Sequence, residues 1–199
     1  SKLAAALPVY LAVVVGLSLL LLILAFRSVL VPVKATLGFL LSVLAMFGAL
    51  VAVFQWGWFG IAEAPGPIVS FIPIIAIGVL FGLAMDYEFF LVSGMHEAYE
   101  QTKKPRQAVI NGFGMGAKVV TAAGVIMVSV FAGFIFNHDA TIQAIGFALA
   151  IGILVDAFLV RMTIVPAVMA LLGKSAWWLP KWLEKRLPHV SIEGESSSK

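Results

Sequence analysis

The run Gly78-Val-Leu-Phe-Gly82-Leu-Ala-Met-Asp86-Tyr87-Glu88-Phe-Phe-Leu91 decides how the whole chain is interpreted. It lies inside an apolar stretch of about 25 residues, 68–92, which is long enough to cross a bilayer. Two carboxylates and a phenol nevertheless stand side by side within it. Because an Asp at the centre of a membrane helix costs roughly 2.5–3.5 kcal/mol, acidic residues at such positions usually serve a function.

The helical spacing of this run predicts how its side chains are oriented. At about 100° per residue, Gly78, Gly82 and Asp86 share one face. Two glycines on that face allow another helix to come close, so we expect Asp86 to point into a helix bundle. Tyr87 is turned by about 100° and can reach a second neighbour. Glu88 is turned further, and we expect it to meet the lipid headgroups.

The composition places the chain among integral membrane proteins. Of its 199 residues, 62% are hydrophobic and 12% are charged, and the mean hydropathy is +1.07, whereas soluble domains carry about 25% charged residues. The chain has no Cys, which excludes disulfides and thiolate chemistry, and its His residues stand apart from one another. We therefore predict an all-α membrane protein and expect neither a metal nor a cofactor.

Five apolar segments are predicted to cross the membrane, at about residues 7–26, 35–54, 68–92, 119–136 and 140–160. They form one predicted transmembrane domain over residues 1–173, and the polar residues 95–106 are predicted to form a short surface helix. Residues 174–190 place Trp and Leu on one face and Lys and Arg on the other, which predicts an interfacial amphipathic helix. Residues 191–199 are predicted to be disordered.

Lys and Arg residues gather in alternate loops. They occur at 27–34, 103–118 and 174–186, whereas the other side of the membrane holds only Lys2. The positive-inside tendency therefore predicts an outside N-terminus and a cytoplasmic C-terminus. An outside N-terminus with no signal ahead of it predicts at least one further span upstream of residue 1.

Asp86 and Tyr87 form the strongest candidate site. A carboxylate inside a helix bundle is readily protonated, because desolvation disfavours its charged form, and a phenol can hydrogen-bond to it. Such a pair can load a proton from one side of the membrane and release it to the other. The alternative is that Asp86 only satisfies a polar contact and fixes helix packing.

Asp156 is the second candidate, because Gly152 lies one turn before it just as Gly82 lies one turn before Asp86. It either faces the same bundle interior as Asp86 or forms a structural ion network with Arg161 on the cytoplasmic side. Arg161 lies five residues further on, which is a poor spacing for a pair on one α-helix. We therefore expect Arg161 to pair with another helix or to extend to the membrane surface.

Lys118 begins the fourth span and is either a counter-charge for Asp86 or a residue that extends to the headgroups. The run Gly112-Phe-Gly-Met-Gly-Ala-Lys118 matches phosphate-binding motifs only superficially, because it opens a membrane helix rather than following a strand. We interpret its glycines as helix-packing positions. An intramembrane aspartyl protease would need Asp86 and Asp156 to share a proton, but neither follows a Gly-x-Gly element. We therefore expect no enzymatic activity.

The stretch Phe81-Gly-Leu-Ala-Met-Asp-Tyr-Glu-Phe-Phe-Leu91 resembles the signature of the MMPL family, which belongs to the resistance–nodulation–division (RND) superfamily of transporters. The resemblance continues through residues 154–162, 165–173 and 177–182, and it covers nearly the whole chain. It implies two parallel halves of membrane helices, each with a large extracytoplasmic domain after its first helix. The present chain would be the last five helices of the second half.

The resemblance also implies a function. Family members are proton-driven exporters of lipids or other hydrophobic molecules to the bacterial cell envelope, with protons as the coupling ion. Their relay pairs the Asp-Tyr of each half with its counterpart, and Asp86 with Tyr87 matches that motif. The candidate supporting residues are Glu88, Lys118, Asp156 and Arg161, and the candidate packing residues are Gly78, Gly82 and Gly152.

The sequence therefore predicts the C-terminal membrane portion of a proton-motive-force-driven exporter in the bacterial cell membrane. Its expected partners are membrane lipids, a hydrophobic substrate and an N-terminal half with its own Asp-Tyr pair and external domains, and no nucleic acid. Two alternatives are a non-transporting scaffold or lipid-sensing module, and a protein-export accessory of the same superfamily.

Overall fold

The computed structural model describes residues 2–26, 28–61 and 67–178, and this part of the chain is helical with no strand. Six α-helices follow one another: α1 Lys2–Phe26, α2 Leu30–Leu50, α3 Ile72–Thr102, α4 Pro105–Gly133, α5 Ala140–Leu154 and α6 Val165–Leu172. Two π-helical segments, Val51–Gln55 and Val155–Ile164, extend α2 and join α5 to α6. Short 3-10 turns occupy Trp58–Gly60, Phe134–Phe136 and Gly173–Trp177.

Within the described residues, four helical stretches are long and apolar enough to cross a membrane. A fifth apolar helix, Pro8–Leu24, is shorter. The longer stretches are Leu30–Gln55, Ile72–Thr102, Gly116–Phe136 and Ala140–Trp177. The predicted all-α membrane bundle is confirmed.

The core of the bundle lies where α2, α3 and α5 meet. Its central side chains, among them Met46 on α2, Leu80 on α3 and Ala148 on α5, have no exposed surface. Gly152 belongs to this contact, because a Cβ added there would lie 3.3 Å from both the Leu80 and the Met46 side chains. The small residue predicted to serve helix packing therefore lies at a tight crossing of three helices.

The turn between α3 and α4 differs from its prediction. Helix α3 runs without a break to Thr102, so residues 95–102 continue the third span instead of forming a separate surface helix. The helix ends because Lys103 adopts a left-handed conformation with φ +52°, a backbone state that terminates helices. Lys104 is extended, as the residue before a proline prefers, and Pro105 opens α4.

The crossing of α3 and α4 depends on glycines. A Cβ added to Gly112 would lie 2.4 Å from the backbone oxygen of Gly94, and one added to Gly116 would lie 2.8 Å from the Leu91 side chain. No side chain fits at either position without displacing a neighbour. The interpretation of residues 112–118 as a packing segment agrees with this geometry, although Gly114 meets no neighbouring atom within 4 Å.

The end of the described chain folds back against α3. The Ser28 hydroxyl donates a hydrogen bond to the carbonyl oxygen of Ala176, 2.6 Å away. The Trp177 ring stacks on Tyr99 and meets His96 edge-on. Of the predicted interfacial helix 174–190, residues 174–177 belong to the 3-10 turn Gly173–Trp177 and Trp178 is extended, so these residues do not form the predicted amphipathic helix. Residues 179–190 and the predicted tail 191–199 lie outside the described residues.

Candidate functional site: a buried ion network beside an exposed carboxylate

The apolar stretches contain three carboxylates, and the structure places them in different surroundings. Glu88 and Asp156 are buried, with 1% and 2% of their surfaces exposed, whereas Asp86 is exposed on the outside of the bundle. The burial of Glu88 contradicts the expectation that it would meet the headgroups. Its side chain points into the core, where Lys34 on α2 and Arg161 on the π-helical segment each provide a positive charge.

Each oxygen of Glu88 meets a different cation. Lys34 on α2 brings its Nζ to 2.8 Å from Oε1, an ion-pair contact whose angles depart from hydrogen-bond geometry. Arg161, on the π-helical segment, donates from Nη1 to Oε2 at 2.7 Å. The two opposite charges offset the loss of hydration that burial imposes on this carboxylate.

Arg161 joins the two buried acids. Besides its bond to Glu88, it donates from Nε to Oδ2 of Asp156 at 2.7 Å, and only 1% of its surface is exposed. The Ser42 hydroxyl lies 3.1 Å from Oδ1 of the same carboxylate. Lys34 and Arg161 carry two positive charges, and Glu88 and Asp156 carry two negative ones, so this ion network is balanced.

An ion network of Asp156 with Arg161 was one of two alternatives from the sequence, but a spacing of five residues is poor for a pair on one α-helix. Local geometry explains why the two side chains nevertheless meet. The segment Val155–Ile164 is π-helical, with the backbone N–H of Val165 bonded to the carbonyl oxygen of Val160. In a π-helix each hydrogen bond spans five residues, so side chains five apart come to lie on the same side. The spacing that is poor on an α-helix therefore suits this pair, and of the two alternatives for Asp156 the structure contains the ion network.

Asp86 lies on the other side of α3 from Glu88. Side chains two positions apart on an α-helix point about 200° away from each other. Because Glu88 points into the core, Asp86 points outward. No ion pair joins Asp86 to any residue in the described part of the chain. The expectation that it points into this bundle is therefore wrong for the described helices. A Cβ on Gly82, one turn earlier, would also meet open space.

The remaining candidates are dispersed. The Tyr87 hydroxyl contacts the sulfur of Met127 on α4 at 3.3 Å, so it does reach a second neighbour. A Cβ on Gly78 would lie 2.8 Å from the Tyr10 hydroxyl, which places this glycine against α1. Lys118 is exposed, and no ion pair joins it to Asp86.

Sequence reasoning missed two members of the network, Lys34 and Ser42. Lys34 was interpreted as part of a basic loop, but it lies in the first turns of α2 with 8% of its surface exposed. The available signal was its position just before an apolar run, because a lysine at the start of a buried helix needs a counter-charge. For Ser42, the sequence offered no signal of a polar partner.

These features define a class: a multi-helix membrane protein with a balanced ion network in its core and an unpaired carboxylate on its surface. The chain belongs to the MMPL family, whose model matches residues 3–190. It is 52% identical to "Membrane protein YdfJ" of Bacillus subtilis over 98% of this chain. It is 40% identical to "Mycolic acid-containing lipids exporter MmpL11" of Mycolicibacterium smegmatis and 42% identical to "Heme uptake protein MmpL11" of Mycobacterium tuberculosis, each over 94% of this chain.

The chain is short beside these relatives. It spans 27% of the length of the Bacillus protein and 20% of the length of each of the two mycobacterial proteins. The similarity therefore concerns one membrane portion of much longer polypeptides.

Proposed function

We propose that this chain is the C-terminal membrane portion of a proton-driven transporter that moves lipids or other hydrophobic molecules to the cell envelope. Asp86 is the proton carrier in this proposal, and Tyr87, whose hydroxyl contacts Met127 in the described chain, becomes its hydrogen-bond partner across the interface with the other half. The observation that carries it is the contrast among the three acids of the apolar stretches. Two are held in a balanced network, and Asp86 has no cation in the described chain.

This contrast matters because a proton carrier must change its charge. Glu88 and Asp156 are poor carriers, since protonating either would leave two buried cations, Lys34 and Arg161, with a single anion. Asp86 can gain or lose a proton without disturbing that balance. An elementary charge that crosses 100 mV gains about 2.3 kcal/mol, which is sufficient to bias a two-state transporter.

The outward face of α3 supports a role for a second set of helices. Gly82 and Asp86 lie on that face, and a small residue beside a polar one is typical of close helix contacts in membranes. We propose that the N-terminal half of the intact protein covers this face and brings a second Asp-Tyr pair to Asp86.

The substrate class follows from the relatives only in broad terms. One mycobacterial relative is named a lipid exporter, and another is named a heme uptake protein. Both cargoes are hydrophobic, and we propose export of a lipid as the activity of the protein that contains this chain. Uptake of heme instead of lipid export is a separate outcome of the experiment below.

The proposed orientation has an outside N-terminus and a cytoplasmic C-terminus. It rests on the basic turn at Lys103 and Lys104, which belongs on the cytoplasmic side. A cysteine placed at Asn137 should then react with an impermeant maleimide added outside intact cells, whereas one placed at Lys104 should not. The reverse labelling pattern would invert the topology.

The proposal is tested by Asp86→Asn in the intact protein, expressed in cells whose lipids are labelled with radioactive acetate. We expect surface-extractable labelled lipid to fall to the level of the gene-deletion strain, with normal abundance of the protein in the membrane. Glu97→Gln is the matched control, because Glu97 is an exposed acid on the same helix and should tolerate the change. Parent-level export by Asp86→Asn would refute the proposed role. A deletion strain that loses growth on heme iron, but no surface lipid, would refute the proposed cargo.

A further inference from the structure

The ion network contacts α3 at two points, both through Glu88: an ion pair with Lys34 and a hydrogen bond donated by Arg161. The oxygens of Glu88 lie 2.8 Å from Lys34 Nζ on α2 and 2.7 Å from Arg161 Nη1 on the π-helical segment. Because the two cations come from different elements, α3 cannot rotate about its axis without lengthening at least one contact. Glu88 therefore fixes the rotation of α3 from two sides.

Apolar packing alone would hold that rotation less firmly at this level of the helix. The inward residue one turn before Glu88 is Ala84, which is fully buried but small. Hydrophobic contact is non-directional, whereas charge-assisted hydrogen bonds are short and geometrically specific. The angular position of this part of α3 thus depends on the ion network together with the buried side chains of Leu91 and Val92 that follow it.

Rotation of α3 bears directly on Asp86. A carboxylate at the surface of a helix lies about 5–6 Å from the helix axis, so a rotation of about 20° would move it by about 2 Å. Hydrogen-bonded proton transfer needs donor and acceptor within about 2.6–3.2 Å. A shift of this size is sufficient to separate Asp86 from any group that it must meet outside the described bundle.

We infer that Glu88, held by Lys34 and Arg161, is a positioning residue that sets the rotation of α3 and so presents Asp86 to its proton-transfer partner. Asp156 and Ser42 act through Arg161, since they hold the guanidinium in place. This inference rests on the proposed relay role of Asp86. It assigns the buried network a part in transport that reaches beyond the stability of the core.

A charge-balanced double variant separates positioning from folding. Lys34→Met with Glu88→Gln removes one cation and one anion, which leaves Arg161 paired with Asp156. Replacing both members of an interacting pair can be nearly neutral for stability. The matched control is Lys103→Met with Glu100→Gln, which removes an exposed ion pair from the same helix end.

The variants are compared in the intact protein by membrane abundance, thermal unfolding and the acetate-labelled lipid assay over a range of external pH. We expect the network double variant to accumulate and unfold like the parent. Its export should fall about 10- to 100-fold, because misplacement by about 1 Å can reduce a rate about 100-fold, and its pH profile should shift. The control should match the parent in rate and in pH profile.

Parent-level export by the network double variant, with an unshifted pH profile, would overturn the inference. Asp86→Asn is measured alongside: if it too exports at the parent rate, the proposed relay fails, and if it is inactive, only the positioning role fails. Should the double variant not accumulate, Glu88→Asp keeps the charge but shortens the side chain by one methylene. Reduced export by Glu88→Asp at normal abundance supports the inference, and unchanged export contradicts it.

Discussion

Asp86 and Glu88 stand two residues apart on α3, yet their surroundings have little in common. The sequence predicted that acids in this apolar run matter, because a membrane helix seldom carries them without reason. It did not predict which acid is buried. The glycines before Asp86 indicated a packing face there, but the packing face within the described bundle is the one that carries Glu88, 1% exposed, and Leu80, fully buried.

At this scale the network itself can be tested. Arg161→Met would leave Glu88 and Asp156 buried with only Lys34 to balance them, and removal of one partner from a buried ion pair typically costs about 3–5 kcal/mol. We expect the intact protein in detergent to unfold at a clearly lower temperature. As a comparison, Lys103→Met removes one member of an exposed pair and should change stability by less than about 1 kcal/mol.

A second substitution checks the cause of that loss. Asp156→Asn added to Arg161→Met removes the unpaired anion and leaves Glu88 with Lys34, so part of the lost stability should return. Equal stability of the single and double variants would indicate that the packing volume of Arg161, not its charge, supports the core.

At the scale of elements, the helices follow the apolar pattern of the sequence. Where the structure differs from the predicted elements, the cause is local. The continuation of α3 through residues 95–102 was missed because a polar composition does not reveal whether a helix stops. The π-helical segment Val155–Ile164 was missed because its sequence resembles an α-helix. The only nearby irregularity is Pro166, which cannot donate a backbone hydrogen bond. An ion network of Asp156 with Arg161 was one alternative from the sequence, but the direct pairing of the two was not expected, because the π-helical segment was not foreseen.

The close contact between α3 and α4 can be tested by adding a methyl group to a glycine at their crossing. Gly112→Ala places a Cβ 2.4 Å from the Gly94 backbone oxygen, and overpacking of this kind typically costs about 1–3 kcal/mol. Gly114→Ala is the matched control: its Cβ meets nothing within 4 Å, and Ala is favoured over Gly in a helix by about 0.5–1 kcal/mol. The unfolding temperature of Gly112→Ala should be lower than that of the parent, and that of Gly114→Ala should be unchanged or higher. Equal unfolding temperatures would contradict the close crossing.

At the scale of the whole molecule, the described helices bury one charge network and leave Asp86, in the apolar part of α3, outside it. The family and the all-α bundle could be predicted from the sequence, because a short motif and long apolar runs carry those signals. The outward position of Asp86 could not, since it depends on contacts among α2, α3 and the π-helical segment. The chain spans 20–27% of the length of the relatives compared above, so we propose that the remaining length supplies the surface facing Asp86.

The central claim is that Asp86 changes its protonation during transport while the buried network stays charged. Infrared difference spectroscopy of the purified intact protein, recorded across pH, tests it most directly because protonated carboxyl groups have their own absorption band. We predict that the parent has a protonated-carboxyl component that is lost in Asp86→Asn and retained in Glu97→Gln, which removes only the contribution of a solvent-exposed acid. A band that titrates identically in the parent and in Asp86→Asn would contradict the account.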